Sequence, residues 1–326
     1  MTGTEPLFSI IIPNFNKAGL LPEVLKSVFQ GQPATDFEVL LMDDCSIDCS
    51  VDVASQFPVR LEKSAARVGP AALRNRAARL ARGKYLLFMD SDVVLFPETL
   101  PNFKYLCRQD TLALVTGVES LPCVGDNWIG TFRTLQLREL LGGEPIRGGS
   151  IGAWGSTFGA IRRDIFLQSG GFNEKFKGPD IEDHELCLRL SGKNEMILAP
   201  ELKYRHTYPS ASELLVKQFK RATQMIQLDR KAVMANHSFY QMRFKAGHIL
   251  ALGIWLSLFF SFYSWIGSSI LLPLLVLNGF LHSYILKEGL RLKGPLFCVY
   301  AFCINLVMTA FVTMGVLVGF LKRWKR

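Results

Sequence analysis

Two stretches of this 326-residue chain have no charge: residues 249–286 and 294–321 contain no Asp, Glu, Lys or Arg. A solvated chain would not leave such lengths uncharged, whereas apolar runs of 18 or more residues suit a bilayer. A wholly soluble chain is therefore not expected. Cysteine is also scarce, seven residues in odd number with no C-x-x-C pair. That argues against a disulfide framework or zinc site and for a reduced, cytoplasmic compartment. No basic segment precedes a long apolar run near Met1, so a secretory signal is not expected. The Walker A and G-x-G-x-x-G glycine patterns are missing, which removes two common phosphate cradles. Zinc-finger spacing and a basic-aromatic platform are missing too, and nucleic acid is not an expected partner.

What is present divides the chain. The formal charge is +9, and residues 246–326 hold seven Lys and Arg against Glu288 alone, a balance of +6 that leaves +3 for the rest. Basic residues flanking apolar runs suit membrane lipids, anionic ones above all. The expected layout is a soluble α/β domain over residues 1–211, an amphipathic juxtamembrane linker over 212–247 and a transmembrane region over 248–326.

Residues 8–13 are an apolar, β-branched run closed by Pro13 and followed by the polar turn 14–16. Such a run suits a parallel strand buried on both faces, with its turn at the carboxyl edge where open α/β sheets bind ligands. Helical spacing follows at Leu20, Leu21, Val24, Leu25 and Val28. Residues 37–42 repeat the pattern and end in the acidic turn 43–48. A weaker strand at 59–62 follows, then a helix opened by Pro70 and ended by Gly83, then the run 85–89. Strands alternating with helices in this way point to a doubly wound, mostly parallel sheet.

Asp90 and Asp92 follow that last run. In a strand residues i and i+2 point the same way, so the two carboxylates can face one direction. Mg²⁺ or Mn²⁺ takes oxygen ligands and commonly binds one or two carboxylates plus substrate phosphates, so the implied ligand is a diphosphate. A plain polar turn is the alternative. Three polar strand-end turns gathered at one sheet edge weigh against it, because clustered carboxylates repel unless a cation or hydrogen-bonding ligand joins them. Asp90 and Asp92 then suit a metal, and Asp43 and Asp44 a base or ribose.

Phe8-Ser9-Ile10-Ile11-Ile12-Pro13-Asn14-Phe15-Asn16, Asp43-Asp44-Cys45-Ser46-Ile47-Asp48, Gly69-Pro70-Ala71-Ala72-Leu73-Arg74-Asn75 and Asp90-Ser91-Asp92 resemble, in order and spacing, the motifs of the family 2 glycosyltransferases. The resemblance covers about residues 7–210 and implies a GT-A fold. It also implies nucleotide binding by Asp43 and Asp44, and metal and donor-diphosphate binding by Asp90 and Asp92. The matched positions Pro13, Asn14, Asn16, Gly69, Arg74, Asn75 and Ser91 are candidate donor contacts.

Pro179 and Asp180 open a further expected helix with an acidic first turn, which the helix dipole favours in any protein. Asp183 shares a face with Leu186 and Leu190 and should point to the packed side, where a carboxylate needs a reason to be. Glu182-Asp183 matches the family's E-D motif, which implies a donor-site role for Glu182 and a general-base role for Asp183. His206 resembles the histidine that some members use as a further metal ligand. Gln218-Phe219-Lys220-Arg221 partly resembles the Q-x-x-R-W signature of membrane polysaccharide synthases, with Ala222 in place of the tryptophan, and makes Arg221 a candidate diphosphate contact.

The resemblance implies a metal-dependent inverting transfer of sugar from a nucleoside-diphosphate-sugar to a hydroxyl of a glycan or lipid-linked acceptor at the cytoplasmic membrane face. One rival is a polyprenyl-phosphate glycosyl synthase, whose ionised acceptor would need no base. The other is a catalytically silent membrane scaffold, which would be expected to lack the acidic pairs. Residues 249–286 can form two spans with a turn near 267–269, and 295–320 a third, giving a multi-pass protein. Three spans would put Lys322, Arg323, Lys325 and Arg326 outside, against the positive-inside rule, unless the last run is re-entrant, helped by Gly315 and Gly319, or an earlier segment does not cross.

Overall fold

The structure, a computed structural model, describes residues 5–30, 36–151, 154–176, 178, 181–226, 228, 239–261 and 265–324. It divides into two compact units, residues 1–120 with 147–207, and residues 121–146 with 208–326.

The first unit is built on a mixed sheet whose strands are β1 Phe8–Asn14, β2 Phe37–Asp43, β3 Arg60–Lys63, β4 Tyr85–Met89, β5 Val93–Leu95, β6 Leu114–Glu119, β7 Gly149–Ser150, β8 Phe158–Arg162 and β9 Met196–His206. Their order is β3-β2-β1-β4-β8-β6-β9-β5, with β7 on β9. The block β3-β2-β1-β4 is parallel. Every residue of β1 and β4 is buried, as their unbroken apolar runs require of strands covered on both faces. The sheet's edges are managed by charge and brevity: β3 carries Arg60, Glu62 and Lys63, and β5 has three residues.

The helices of this unit are α1 Leu21–Phe29, α2 Ser50–Ala54, α3 Pro70–Leu80, α4 Thr99–Arg108, α6 Arg163–Gln168 and α7 Glu182–Leu190; α5, Trp128–Leu140, belongs to the second unit. The expected helix 70–82 is thus present and stops two residues early, with Ala81 extended at its C-cap. Leu73 and Ala77 of α3 and Leu186 and Leu190 of α7 join Ile11, Phe88, Ile161 and Phe172 in one core. Each buried Leu or Ile contributes about 1.5–3 kcal/mol. The Phe88 ring lies 5.2 Å from both Phe166 and Phe172, which fixes the helices under the carboxyl end of β4. Pro179 and Asp180, expected to open α7, lie outside the described residues.

The second unit is helical. Besides α5 it holds α8, Ala211–Met225, and the helices Phe239–Ser261, Trp265–Leu281, Ser283–Lys293 and Pro295–Trp324. Its division differs from the expected boundaries at 211 and 247. Ile129, Phe132 and Leu135 of α5 and Leu214 of α8 pack with Ile285, Phe297 and Met308, so both helices share a core with the C-terminal segment. The apolar stripe of α5 has its partner some 150 residues later in the chain, where spacing alone could not find it.

The expected three spans are not found among the described residues. One helix, Pro295–Trp324, is long and apolar enough to cross a membrane. A second candidate is the pair Ser269–Leu281 and Ser283–Lys293, bent by 71°, and the apolar helix Ile249–Ser261 is shorter than a span. The turn expected near 267–269 falls inside a helix; the bend comes at His282, after which Lys287, Glu288, Arg291 and Lys293 take the chain out of the apolar run. Gly315 and Gly319 serve packing. A Cβ on Gly315 would lie 2.4 Å from the Phe219 carbonyl oxygen, and one on Gly319 2.8 Å from that of Thr223, so small residues let α8 lie against the long helix. The Thr223 hydroxyl donates to the Gly315 carbonyl at 3.0 Å. Arg230 and Lys231, basic residues of the expected amphipathic linker over 212–247, lie outside the described residues.

Candidate functional site

Parallel pairing of β1, β2 and β4 brings the first three polar turns to one edge, with Asn14 directly opposite Asp43 and Asp90 just past β4. Asn14 Nδ2 donates to Asp43 Oδ1 at 2.9 Å. The same carboxylate accepts the Ser46 hydroxyl at 2.6 Å on Oδ1 and the Ser46 N–H at 2.9 Å on Oδ2. Asn16, with φ of 50°, accepts the Ile47 N–H on its side-chain oxygen and donates its own N–H to Ser46. Pro13 sits in β1 opposite Met42, where its lack of an N–H falls at the strand's last turn. Asp44 accepts the N–H groups of Val68 at 2.7 Å and Gly69 at 3.0 Å. Gly69 has φ of 89°, a conformation open to glycine, and hands the chain to Pro70 at the head of α3.

α3 aims Arg74 back into the site. This guanidinium is 3% exposed and bridges two acids, donating from Nη1 to Glu182 Oε1 at 2.8 Å and from Nη2 to Asp90 Oδ1 at 2.5 Å. Burial alone would lower the Arg74 pKa, but the charges of Asp90, Glu182 and Asp183 outweigh it and raise it. Burial, with the charge of Asp183, raises the Glu182 pKa against the pull of Arg74. The neighbouring Asn75 turns away: it donates to the Phe172 carbonyl and the Glu174 carboxylate and accepts the Phe172 N–H, a brace for the loop before α7.

Asp90, Ser91 and Asp92 leave β4 between two antiparallel pairings. The Asp90 N–H donates to the Thr157 carbonyl beside β8. β5 then pairs with β9, Val93 opposite His206, while the Thr207 N–H donates to the Asp92 carbonyl. This register sets His206 Nε2 3.2 Å from Asp92 Oδ1. Ser91 is buried, and its neighbours Asp90 and Asp92 keep side chains 29% and 20% exposed. One ligand atom from each of Asp90, Asp92 and His206 lies within 4.8 Å of the others. Two carboxylates and an imidazole are a donor set that fits a hard or borderline divalent cation.

Lys17, which the sequence reading passed over, donates to Asp92 Oδ2 at 2.9 Å. Burial pushes the Asp92 carboxyl up, but the hydrogen bond and charge of His206 and the ammonium of Lys17 outweigh it and hold it below the usual carboxylate range. Burial would lower the His206 pKa, and the Asp92 hydrogen bond and charge, with Glu119 and Asp90 beyond, raise it instead. Buried Glu119, at the end of β6, is a second residue the motifs did not indicate. A lone basic residue in a polar βα turn gives no signal of its partner, since that partner lies 75 residues on.

Asp183 opens the first turn of α7 and is half-buried, less enclosed than its helical face suggested. Its Oδ1 accepts the His184 N–H at 2.8 Å and its Oδ2 lies 3.4 Å from the Ser156 nitrogen. Arg74 thereby links the Asp90 carboxylate to the Glu182-Asp183 pair across the site. Arg221 lies in α8 of the second unit.

Comparison with known proteins bears on the family and the fold. The profile of Glycosyl transferase family 2 matches residues 9–167, and that of Glycosyltransferase like family 2 matches residues 145–245. An uncharacterized glycosyltransferase of Haemophilus influenzae is 27% identical over 186 residues, 56% of this chain and 62% of the relative. A poly(ribitol-phosphate) beta-glucosyltransferase of Bacillus spizizenii is 39% identical over 116 residues, 33% of this chain and 18% of the relative. The chain thus spans less than two thirds of the length of either. Among solved structures, a mannosyltransferase from Pyrobaculum calidifontis, in complex with GDP-Man and Mn²⁺, shares the fold with a TM-score of 0.61 at 16% identity, covering 98% of this chain and 88% of its own. The two profiles, overlapping at residues 145–167 and together spanning 9–245, establish with the sheet order that this chain belongs to the family 2 glycosyltransferases, with the GT-A fold.

Proposed function

We propose that this protein transfers a sugar from a nucleoside-diphosphate-sugar to a hydroxyl of a glycan or lipid-linked acceptor, with inversion at the anomeric carbon. The observation that carries the reading is the convergence of Asp90, Asp92 and His206 ligand atoms within 4.8 Å, linked through Arg74 to the Glu182-Asp183 pair. Asp90, Asp92 and His206 would hold Mg²⁺ or Mn²⁺. Bound there, the ion supplies positive charge that offsets negative charge building on the departing diphosphate.

The remaining work falls to the chain itself. Asp183, steadied by the His184 N–H, accepts the proton of the attacking hydroxyl. The hydroxyl oxygen bonds to the anomeric carbon as the bond to the diphosphate breaks, and the electron pair leaves with the nucleoside diphosphate. Arg74 keeps Asp90 oriented and balances Glu182 beside the base. The turns of β1 and β2, with Asn14, Asn16, Asp43 and Asp44, form the wall for base and ribose. The helix Pro295–Trp324 supports attachment to a membrane, and seven free cysteines suit a catalytic unit in the cytoplasm.

Release of nucleoside diphosphate from a panel of donor sugars, with glycan and lipid-linked acceptors supplied as a membrane extract, tests the reading, with the detergent-solubilised protein in Mn²⁺ and in chelator. Turnover of one donor, abolished by chelator, is expected. Asp183→Asn should lower turnover by about 10²–10⁴-fold while leaving donor binding in place. Full turnover in that variant would remove Asp183 as base, and no turnover of any donor by folded protein would remove glycosyl transfer.

A further inference from the structure

Both candidate metal-binding carboxylates already face a cation of the chain, and the two cations are held differently. Arg74 is 3% exposed and fixed at both ends, by Glu182 and by Asp90. Lys17 is 35% exposed and ends on Asp92 alone among the contacts it makes through its side chain. Its backbone is anchored independently. The Lys17 N–H donates to the Ser50 hydroxyl at 3.0 Å, and its carbonyl accepts from Leu20 and Leu21 at the head of α1. The side chain can therefore swing while its root stays in place, a freedom that Arg74 lacks.

We propose that Lys17 is a built-in counter-ion of Asp92 that moves onto the donor diphosphate, so that nucleotide and divalent cation bind with positive coupling. The inference rests on the metal-dependent transfer reading. Asp92 is one of the three candidate ligands of a divalent ion, and an ammonium 2.9 Å from its Oδ2 would oppose that ion by like charge. A diphosphate offers the ammonium a replacement anion close by, because the same ion would bridge protein carboxylates and phosphates. Withdrawal of Lys17 then leaves Asp92 to the metal. Linkage makes the effect mutual, each ligand tightening the other by the same factor.

The test uses the full-length protein in detergent, with free Mn²⁺ followed by electron paramagnetic resonance, and with UDP and GDP as probes. Wild type, Lys17→Met and Lys17→Arg are compared, and thermal melts confirm the fold of each. Lys17→Met should bind Mn²⁺ alone roughly tenfold more tightly, within the usual range of site-to-site coupling, and should show a correspondingly smaller effect of nucleotide. The same variant should bind nucleoside diphosphate alone more weakly, whereas Lys17→Arg, which keeps the charge, should stay near wild type. Opposite movement of the two affinities is the signature, since a merely structural role for Lys17 would weaken both. Unchanged or weaker Mn²⁺ binding by Lys17→Met, in a wild type that binds Mn²⁺ and nucleotide jointly, overturns the role of Lys17 and spares the transfer reading. Failure of wild type to bind either probe overturns both.

Discussion

The sheet's carboxyl edge holds two acidic pairs that look alike in sequence and are treated differently by the fold. Asp43 and Asp44, at the end of β2, are 2% and 3% exposed, and each is held at hydrogen-bond distance by neutral donors: Asn14 and Ser46 for one, the Val68 and Gly69 N–H groups for the other, with the exposed Arg67 guanidinium 4.0 Å from Asp44 as the one cation near them among the described residues. Asp90 and Asp92, after β4, keep side chains 29% and 20% exposed and face charged partners, Arg74, Lys17 and His206. Backbone N–H donors to both carboxylates cannot leave, and the Asn14 and Ser46 side chains add to those on Asp43, so the first pair shapes its loops and offers a ligand only its remaining lone pairs. Side-chain cations can be exchanged for another cation. The first pair is a brace; the second can trade partners.

Substitutions that leave shape nearly intact divide the pairs most sharply. Asp92→Asn should lower turnover by about 10³-fold, the equivalent of the several kcal/mol that a correctly held metal supplies, with little change in unfolding midpoint. Asp44→Ala should cost stability as well as nucleotide binding. Two N–H groups lose their acceptor, and the variant should lose about 2–6 kcal/mol in urea unfolding, since each unsatisfied buried group costs about 1–3 kcal/mol. Equal effects of the two substitutions on stability would erase the distinction.

Glu38, in β2 and away from the site, tests the bracing class by pH. Burial raises its pKa, but the Arg82 N–H, the Ser9 hydroxyl and the Arg82 guanidinium together lower it below its ordinary 4.5. A carboxyl depressed on folding stabilises above its unfolded pKa, and that contribution is lost as pH falls through the lower folded value. The unfolding midpoint should therefore drop below pH 4.5, with a shallower drop in Glu38→Gln. The difference should be under about 1 kcal/mol, because Arg82 is largely exposed.

The parallel half of the sheet was legible because its information is local. β1, β2, β4 and α3 appear where apolar runs, Pro70 and the polar turns put them, and the three turns meet at one edge because parallel strands all end there. The mixed half was not legible, for β8, β6, β9 and β5 pair across gaps that no periodicity reports. That half brings His206 to Asp92. Resemblance named the histidine, while only the β5–β9 register explains its reach. Lys17 was missed for the same reason. The membrane segment misled through composition: a charge-free run of 38 residues reads as two spans, yet its helices break and bend where polar groups re-enter.

The strand β9 has a consequence for synthesis. It is 11 residues long, touches β6, β7 and β5, and delivers His206 at its last position. A chain emerging in order can pair β1, β2, β3 and β4 early, since these contacts are close in sequence and low in loop entropy. Asp90 and Asp92 would then exist for more than a hundred residues of translation without the imidazole that completes the set. The candidate cation cluster is thus completed among the last parts of its unit, and in the folded chain its two carboxylates carry a lysine and an arginine as counter-charges besides the imidazole.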